Sequence, residues 1–264
     1  MNCSHAIKIN AAIGFFLFFN VSLFSQGTFV EKSTALMNAV RYGKETATLL
    51  KEIAEVDAEL LASELNNDNA RKTFWINIYN AHIQLFLNED PALYEDRWKF
   101  FKTERIKVAG EILDFDIIEH GIIRRSKAKL GLGIFPNLFP SKIERMFRIK
   151  KTDPRIHMAL NCGAKSCPPV AVYEYEKLDA QLEESTRRLL AQSTVFNEQT
   201  DQVEVIALFS WFRGDWGNKN KVRKFLKKYE AIPADSNPTI KYSKYDWTLL
   251  TGNYIDLDNG GVRR

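Results

Sequence analysis

Between Thr46 and Leu65 the apolar positions Leu49, Leu50, Ile53, Val56, Leu60 and Leu61 recur at helical spacing, which predicts one amphipathic helix. Asn66-Asn67-Asp68-Asn69 breaks the pattern and supplies N-caps for the next element. From about Ala70 to Asn88 the chain is apolar nearly all round, so this helix belongs in a core. Asn77, Asn80 (or Ala81) and Gln84 fall on one of its faces. A buried amide without partners costs on the order of 1–3 kcal/mol. The stripe must therefore pin neighbouring turns or line a site.

Further on, Arg105 to Leu113 alternates around Ala109-Gly110 and predicts a hairpin. Asp116-Ile117-Ile118-Glu119 has the spacing of a capping box that opens a short helix ending at Arg125. Gly131 to Ser141 reads as a loop. Ile156, Met158 and Leu160 alternate with His157, Ala159 and Asn161, the period of a half-buried strand. Such a strand would deliver Cys162 and Cys167 to a loop closed by Pro168-Pro169. A helix follows through Leu178, Leu182 and Leu189, then a strand over Gln202–Leu208 and an aromatic segment, Phe209–Trp216, packed across the core. Lys219 to Lys228 predicts a helix with a solvated basic face, and Ile240 to Leu250 a late strand. The whole reads as α+β: a single compact domain with a mixed or antiparallel sheet and core helices.

Composition narrows the classes. With 264 residues, 45% of them hydrophobic, the chain can bury a substantial core. The net charge of +4 is mild, and the basic face is confined to Lys219–Lys228, so no nucleic-acid partner is expected. Lys8 followed by the apolar run Ala11–Phe24 and Ser25-Gln26-Gly27 reads as a secretory signal at residues 1–25, with an uncleaved anchor as the alternative. The remaining domain, 26–264, is then extracytoplasmic, and the membrane is met only through the signal segment before its removal.

Removal of the signal takes Cys3 and His5 with it. Cys162 and Cys167 remain, as a local disulfide, a redox pair, or one buried and one reactive thiol. His82, His120 and His157 also remain. A thiol nucleophile needs a base and an orienting group. Cys167 is the candidate nucleophile, and His120 or His157 the base. Glu119 stands beside His120, and Asn80 is an orienting or oxyanion-donating candidate. Asn77, Gln84, Asn161 and Arg155 are candidate binding residues. Cys162 continues the apolar face of the expected strand and should be the buried, inert sulfur. A papain-like or transglutaminase-like arrangement, permuted in order, would bring these parts together by analogy. Two other classes stay open. One is a non-catalytic module binding a peptide, a glycan or another small substrate. The other is a metal or redox site using His120, His157, Cys162 and Cys167, whose spacing is weak for zinc. No cofactor is expected.

Several motifs agree in order with a known family. Phe74-Trp-Ile-Asn-Ile-Tyr-Asn-Ala81, Ile117-Ile-Glu-His-Gly-Ile122, Pro154-Arg-Ile-His-Met-Ala-Leu-Asn-Cys-Gly-Ala-Lys-Ser-Cys-Pro168 and Tyr245-Asp-Trp247 resemble the domain-of-unknown-function family 547. The resemblance runs from about Ala70 to Leu249. It implies a domain of secreted bacterial proteins, found in plants behind leucine-zipper segments, and it brings no established activity. The zipper part is missing here. The resemblance implies that Cys167 matches the family motif, whereas Cys162 stands where other residues are tolerated. That favours a distinct role for Cys167 over an obligatory disulfide.

Overall fold

A computed structural model of the chain describes residues 28–128 and 133–257. The expected signal at 1–25 and the expected start near Gln26 lie outside these residues. So do positions 131–132 of the expected loop.

Helix α1 (Phe29–Arg41) is fixed by a capping box between Thr28 and Glu31. The single helix expected over 46–65 is two helices, α2 (Ala47–Glu55) and α3 (Ala58–Glu64). At the break, the Asp57 carboxylate accepts from the Leu60 N–H at 2.9 Å and caps α3. Ile53, Val56 and Leu61 still face one core, so the helical period runs through a break that it does not reveal. Helix α4 (Asp68–Glu89) is capped by Asn67 and runs through the middle of that core, with α1 packed along it.

Helix α5 (Arg97–Lys102) leads to β1 (Ile106–Val108) and β2 (Glu111–Leu113), the expected hairpin. Its two-residue turn places Ala109 at φ 51° and Gly110 at φ 78°, the left-handed pair that suits the twist of a tight hairpin. The turn docks on α2 through Ala109 N–H and Gly110 N–H, which donate to Ile53 and Ala54 carbonyls.

The short helix expected after Asp116 is present as wide π-type turns, Ile117–Ile123, and its capping box is not formed. Asp116 already has helical dihedrals (φ −63°, ψ −40°), whereas a cap needs an extended residue. Asp114 accepts from the Ile117 N–H instead, at 2.6 Å. Helix α6 (Lys142–Phe147) follows, capped by Ser141 and Glu144.

The expected strand over 156–160 is overturned: Pro154–Met158 is a 3-10 helix, started by Pro154 and capped by Asp153, which accepts from the Arg155 N–H. The alternation misled because both sets of residues are buried. His157, Ala159 and Asn161 are as enclosed as Ile156, Met158 and Leu160, so neither set forms a solvent face.

Helix α7 (Leu178–Ser193) agrees with its apolar spacing. Next come β3 (Val195–Asn197), β4 (Gln202–Val205), the short helices α8 (Leu208–Trp211) and α9 (Arg213–Trp216), α10 (Lys219–Lys228) and β5 (Thr239–Tyr242). Strands β3 and β4 are antiparallel, while β4 and β5 are parallel with Val203 opposite Ile240. The parallel pair requires a crossover, which α8 to α10 provide. Helix α10 buries Val222 and Leu226 and leaves Lys219, Lys221, Lys224 and Lys228 exposed.

The two late strands are shorter than their patterns. Residues past Tyr242 leave the sheet and pair with the Cys-bearing loop: Lys165 N–H donates to Thr248 C=O, and Leu250 N–H to Gly163 C=O, both at 2.8 Å. The fold is thus α+β with a two-stranded antiparallel sheet and a three-stranded mixed one. One core surrounds α4; a second lies between α7, the mixed sheet and α10. Among the described residues no helix is long and apolar enough to cross a membrane.

Candidate functional site

The Cys-bearing loop is held by amides from α4. Asn80 Nδ2 donates to Ala159 C=O at 2.9 Å, and its Oδ1 accepts from Asn161 N–H at 2.9 Å. Asn161 then uses its own side chain within the loop. Its Nδ2 donates to Pro168 C=O at 2.8 Å, and its Oδ1 accepts from Gly163 N–H at 2.9 Å and from Gln84 Nε2 at 3.4 Å. Gly163 sits at φ 85°, in the left-handed region that turns the loop back on itself. The Cα atoms of Cys162 and Cys167 come to 6.2 Å, within disulfide reach, and the two sulfurs are joined. The burial expected of them is reversed. Cys167 is buried and Cys162 half-buried, because the 3-10 turn ends the apolar face that Cys162 was to continue.

A charged network borders this loop. Asp215, on α9, receives the Arg124 Nε–H at 2.6 Å and the His157 Nε2–H at 2.9 Å. Burial pushes the Asp215 carboxyl up, but His157 and Arg124 outweigh it and hold it below its ordinary value. Burial pulls the His157 imidazole below its usual range against the pull of Asp215, so it is neutral at pH 7. The His157 ring stacks on Phe212, with centroids 4.0 Å apart and planes at 16°. The Arg124 guanidinium lies over the same Phe212, at 4.5 Å.

Arg124 Nη1 also reaches His120 Nδ1, at 2.7 Å. A guanidinium only donates, so this nitrogen accepts and the proton of a neutral His120 sits on Nε2. That Nε2 lies 3.8 Å from Asp116 Oδ1, and Nδ1 is 3.7 Å from Glu119 Oε1. Neighbours on an ordinary helix diverge. Here Glu119 and His120 both line one cleft, on turns closed by the i→i+5 bond from Arg124 N–H to Glu119 C=O.

That cleft, of about 270 Å³, is the place where the parts meet. Its lining includes Asp116, Glu119, His120 and Arg124 together with the rings of Trp211, Phe212, Tyr245 and Trp247, and the Cys162–Cys167 bridge forms part of the wall. The Tyr245 hydroxyl lies 3.2 Å from Cys167 Sγ and 3.6 Å from Cys162 Sγ. Tyr79 donates to Glu119 Oε2 at 3.5 Å, and burial together with the Glu119 charge keeps this phenol protonated well past its usual range. Trp211 and Trp247 stack at 5.5 Å, with Tyr245 4.7 Å from each ring.

Of the predicted residues, Cys167, His157, His120 and Glu119 line this cleft, whereas Asn80 lies beneath it as a pin for the loop. Asn77 and Gln84 are buried pins as well. Asn77 exchanges two bonds with the Tyr173 backbone (2.8 and 3.0 Å), and Gln84 Oε1 accepts from Gly252 N–H at 2.8 Å. Asn161 is buried inside the loop. Arg155 is on another face, clamped by Asp153, Asp179 and Glu183 at 2.7–2.8 Å, where it ties the 3-10 turn to α7. Its guanidinium is shifted up, first by the Asp153 hydrogen bond. Among the described residues no group of three or more His, Cys, Asp and Glu could hold a metal ion. A roomier groove, about 710 Å³, lies over Thr34, Glu64 and Glu174; none of the predicted residues lines it, and it holds no acid–base pair of this kind.

Sequence reasoning missed Arg124, Asp215, Phe212 and Tyr245 as site residues. Asp215 carried a usable signal: a lone carboxylate inside an aromatic run is either exposed or partnered. Glycines sharpen the packing here. A Cβ on Gly214 would run into the Gly133 backbone, so the chain passes too close there for any side chain, and Gly133 itself sits at φ 69° against the Arg124 guanidinium.

Comparison with known proteins adds one finding. The model of a family described as "Protein of unknown function, DUF547" matches residues 62–190, and the chain resembles that family over this span. No curated protein and no solved structure matches the chain.

Proposed function

We propose that the protein is an extracytoplasmic binding module that holds a short peptide, a glycan or another small polar ligand in the cleft, with the disulfide as part of the wall. The family resemblance supplies no activity, so the reading rests on the cleft. The observation that carries it is the pairing of both sulfurs beside a cavity that still offers recognition groups. Asp116 and Glu119 accept hydrogens from hydroxyls, amides or amines, and the rings of Trp211, Tyr245 and Trp247 offer apolar faces to the flat side of a sugar or a peptide unit. Lys8 and the Ala11–Phe24 run support the extracytoplasmic part of this reading, and a disulfide persists in such a compartment.

A thiol hydrolase or acyltransferase is the second reading, favoured because Cys167 shares the cleft with Glu119 and His120. It requires a reductant of the dithiol class to open the bridge first. His120 would then take a proton at Nδ1 only by releasing Arg124, and His157 only on the nitrogen not bound to Asp215.

Calorimetric titration of the oxidised chain with chito-oligosaccharides and with short peptides separates the two readings. The expected outcome is saturable binding by one class that is lost in Glu119→Gln and Trp247→Ala. No binding by the oxidised protein, with ester or amide hydrolysis that appears on reduction and vanishes in Cys167→Ser, would replace the first reading by the second.

A further inference from the structure

The loop 133–140 displays Ile134, Phe135, Leu138 and Phe139 at 53%, 64%, 78% and 89% exposure. Large apolar side chains clustered on so short a stretch are a marked departure from the scattered ones of an ordinary surface. The loop is not frayed. Ala128 N–H donates to Phe135 C=O at 2.9 Å, Asn137 N–H to Ser126 C=O at 2.6 Å, and Phe139 N–H to Asn137 Oδ1 at 3.0 Å. Arg145 Nη1 donates to Pro140 C=O, and Pro136 and Pro140 restrict the backbone further. The side chains are therefore held outward by a built scaffold.

The chain on either side of this tip is basic, with the Asp68 carboxylate accepting from the backbone N–H groups of Lys150 and Lys151 at its far end. Arg125, Lys142, Arg145, Lys150 and Lys151 are exposed, and Lys127 and Arg148 are half-buried. Glu144 is the one carboxylate in the sequence from Arg125 to Lys151, and it is buried, bonded to Ser141. The basic helix α10 has no comparable apolar tip, since its Val222 and Leu226 face inward.

We propose that this loop docks the protein on an anionic lipid surface, with Phe135, Leu138 and Phe139 entering the acyl boundary and the flanking cations resting on the headgroups. An exposed apolar tip flanked in sequence by cations suits that surface, where apolar burial and headgroup attraction add. A protein partner would have to offer both a deep apolar recess and an acidic rim around it. The docking is independent of what the cleft binds, although Gly133 belongs to both and places the cleft beside the bilayer.

The test reads the tip itself. Full-length Phe139→Trp is mixed with phosphatidylglycerol vesicles, with and without brominated lipid, and its emission is compared with that of the parent chain. The expected result is a blue shift of the added fluorescence and its quenching by the bromines, both absent with phosphatidylcholine. Adding Arg125→Glu and Lys142→Glu should lower the vesicle partition coefficient on the order of tenfold or more. Because the signal arises at the loop, attachment through the apolar segment 11–24 cannot imitate it. An introduced indole that stays unshifted and unquenched on vesicles overturns the proposal. So does equal insertion into neutral and anionic vesicles, or a tip captured by a protein partner and indifferent to lipid.

Discussion

Two buried polar networks lie close together and are built on opposite principles. The amides of α4 are neutral, and each bonds to backbone: Asn77 gives and takes a bond with Tyr173, Asn80 donates to Ala159 and accepts from Asn161, and Gln84 accepts from Gly252. The Arg124–Asp215–His157 network is charged and leaves bonds unmade, since Arg124 Nη2 and Asp215 Oδ1 find no hydrogen-bond partner among the described residues. Buried atoms in that condition cost on the order of 1–3 kcal/mol each. The amide stripe therefore serves the fold by fixing three separate turns. The charged network is a poor way to gain stability, because desolvation of its ions offsets their attraction. What it does achieve is to hold Arg124, and through it His120, at the cleft with a fixed tautomer.

The sharpest way to break this contrast is Asp215→Ala. It strands the Arg124 cation in a site where its side chain is 1% exposed, and loss of one partner from a buried pair costs roughly 3–5 kcal/mol. Urea unfolding should show a loss of that size. A loss below about 1 kcal/mol would mean that the network relaxes into solvent and lacks the rigidity assigned to it.

Acid should separate the networks next. His82 is buried, and desolvation lowers it to about 4, while His157 is lowered in the same direction. Both are neutral in the fold and take up a proton near 6.5 when unfolded. Their contribution is complete above pH 6.5 and is lost as pH falls toward their folded values. His82 alone removes about 2–3 kcal/mol between pH 7.5 and 4.5. Asp215, also lowered, extends the loss below pH 4. Denaturation across this range should show a steep slope in the parent, a shallower one in His82→Gln, and a parallel one in Asn80→Leu, because amides do not titrate. An unchanged slope in His82→Gln would assign the acid response elsewhere.

The smallest effect belongs to Asn80→Leu. It leaves Ala159 C=O and Asn161 N–H without their partner, for about 2 kcal/mol. The melting midpoint should fall and the Cys-bearing loop should gain amide-exchange rate. A midpoint equal to the parent's would show that water replaces the amide without penalty.

Much of this was legible in the sequence, and the failures have physical causes. Helices α4, α7 and α10 and the hairpin were readable because their apolar periods are long or their turn chemistry is strong. The 3-10 turn at Pro154–Met158 was not, because alternation signals a strand only where one set of residues meets water. Asn80 takes over part of the backbone pairing that a neighbouring strand would have supplied to Ala159 and Asn161. The buried stripe of Asn77, Asn80 and Gln84 was foreseen, with its choice between pinning and lining left open. Glu119, His120, His157 and Cys167 were named as candidates from residue type and position, with His120 and His157 as alternatives; that all four line one cleft comes from the structure. Arg124 and Asp215 were not, since 91 residues separate them and no local pattern announces a tertiary ion pair.

The stitching of the last described stretch to the first core has a consequence for biosynthesis. Gly252 closes on Gln84 across 168 residues, and Lys165 and Ser166 pair with Thr248 and Asp246. Contacts of such sequence separation form late, after the loop they close has been made. A nascent chain that has emerged as far as Ser193 already holds α4 and both cysteines. It still lacks the strand-like cover over the Cys-bearing loop, together with Asp215, Trp211 and Tyr245. Until residues near Tyr254 have joined the fold, the two sulfurs stand at an open edge, accessible to thiol–disulfide exchange with other molecules. The cleft is thus among the last parts of the molecule to be completed.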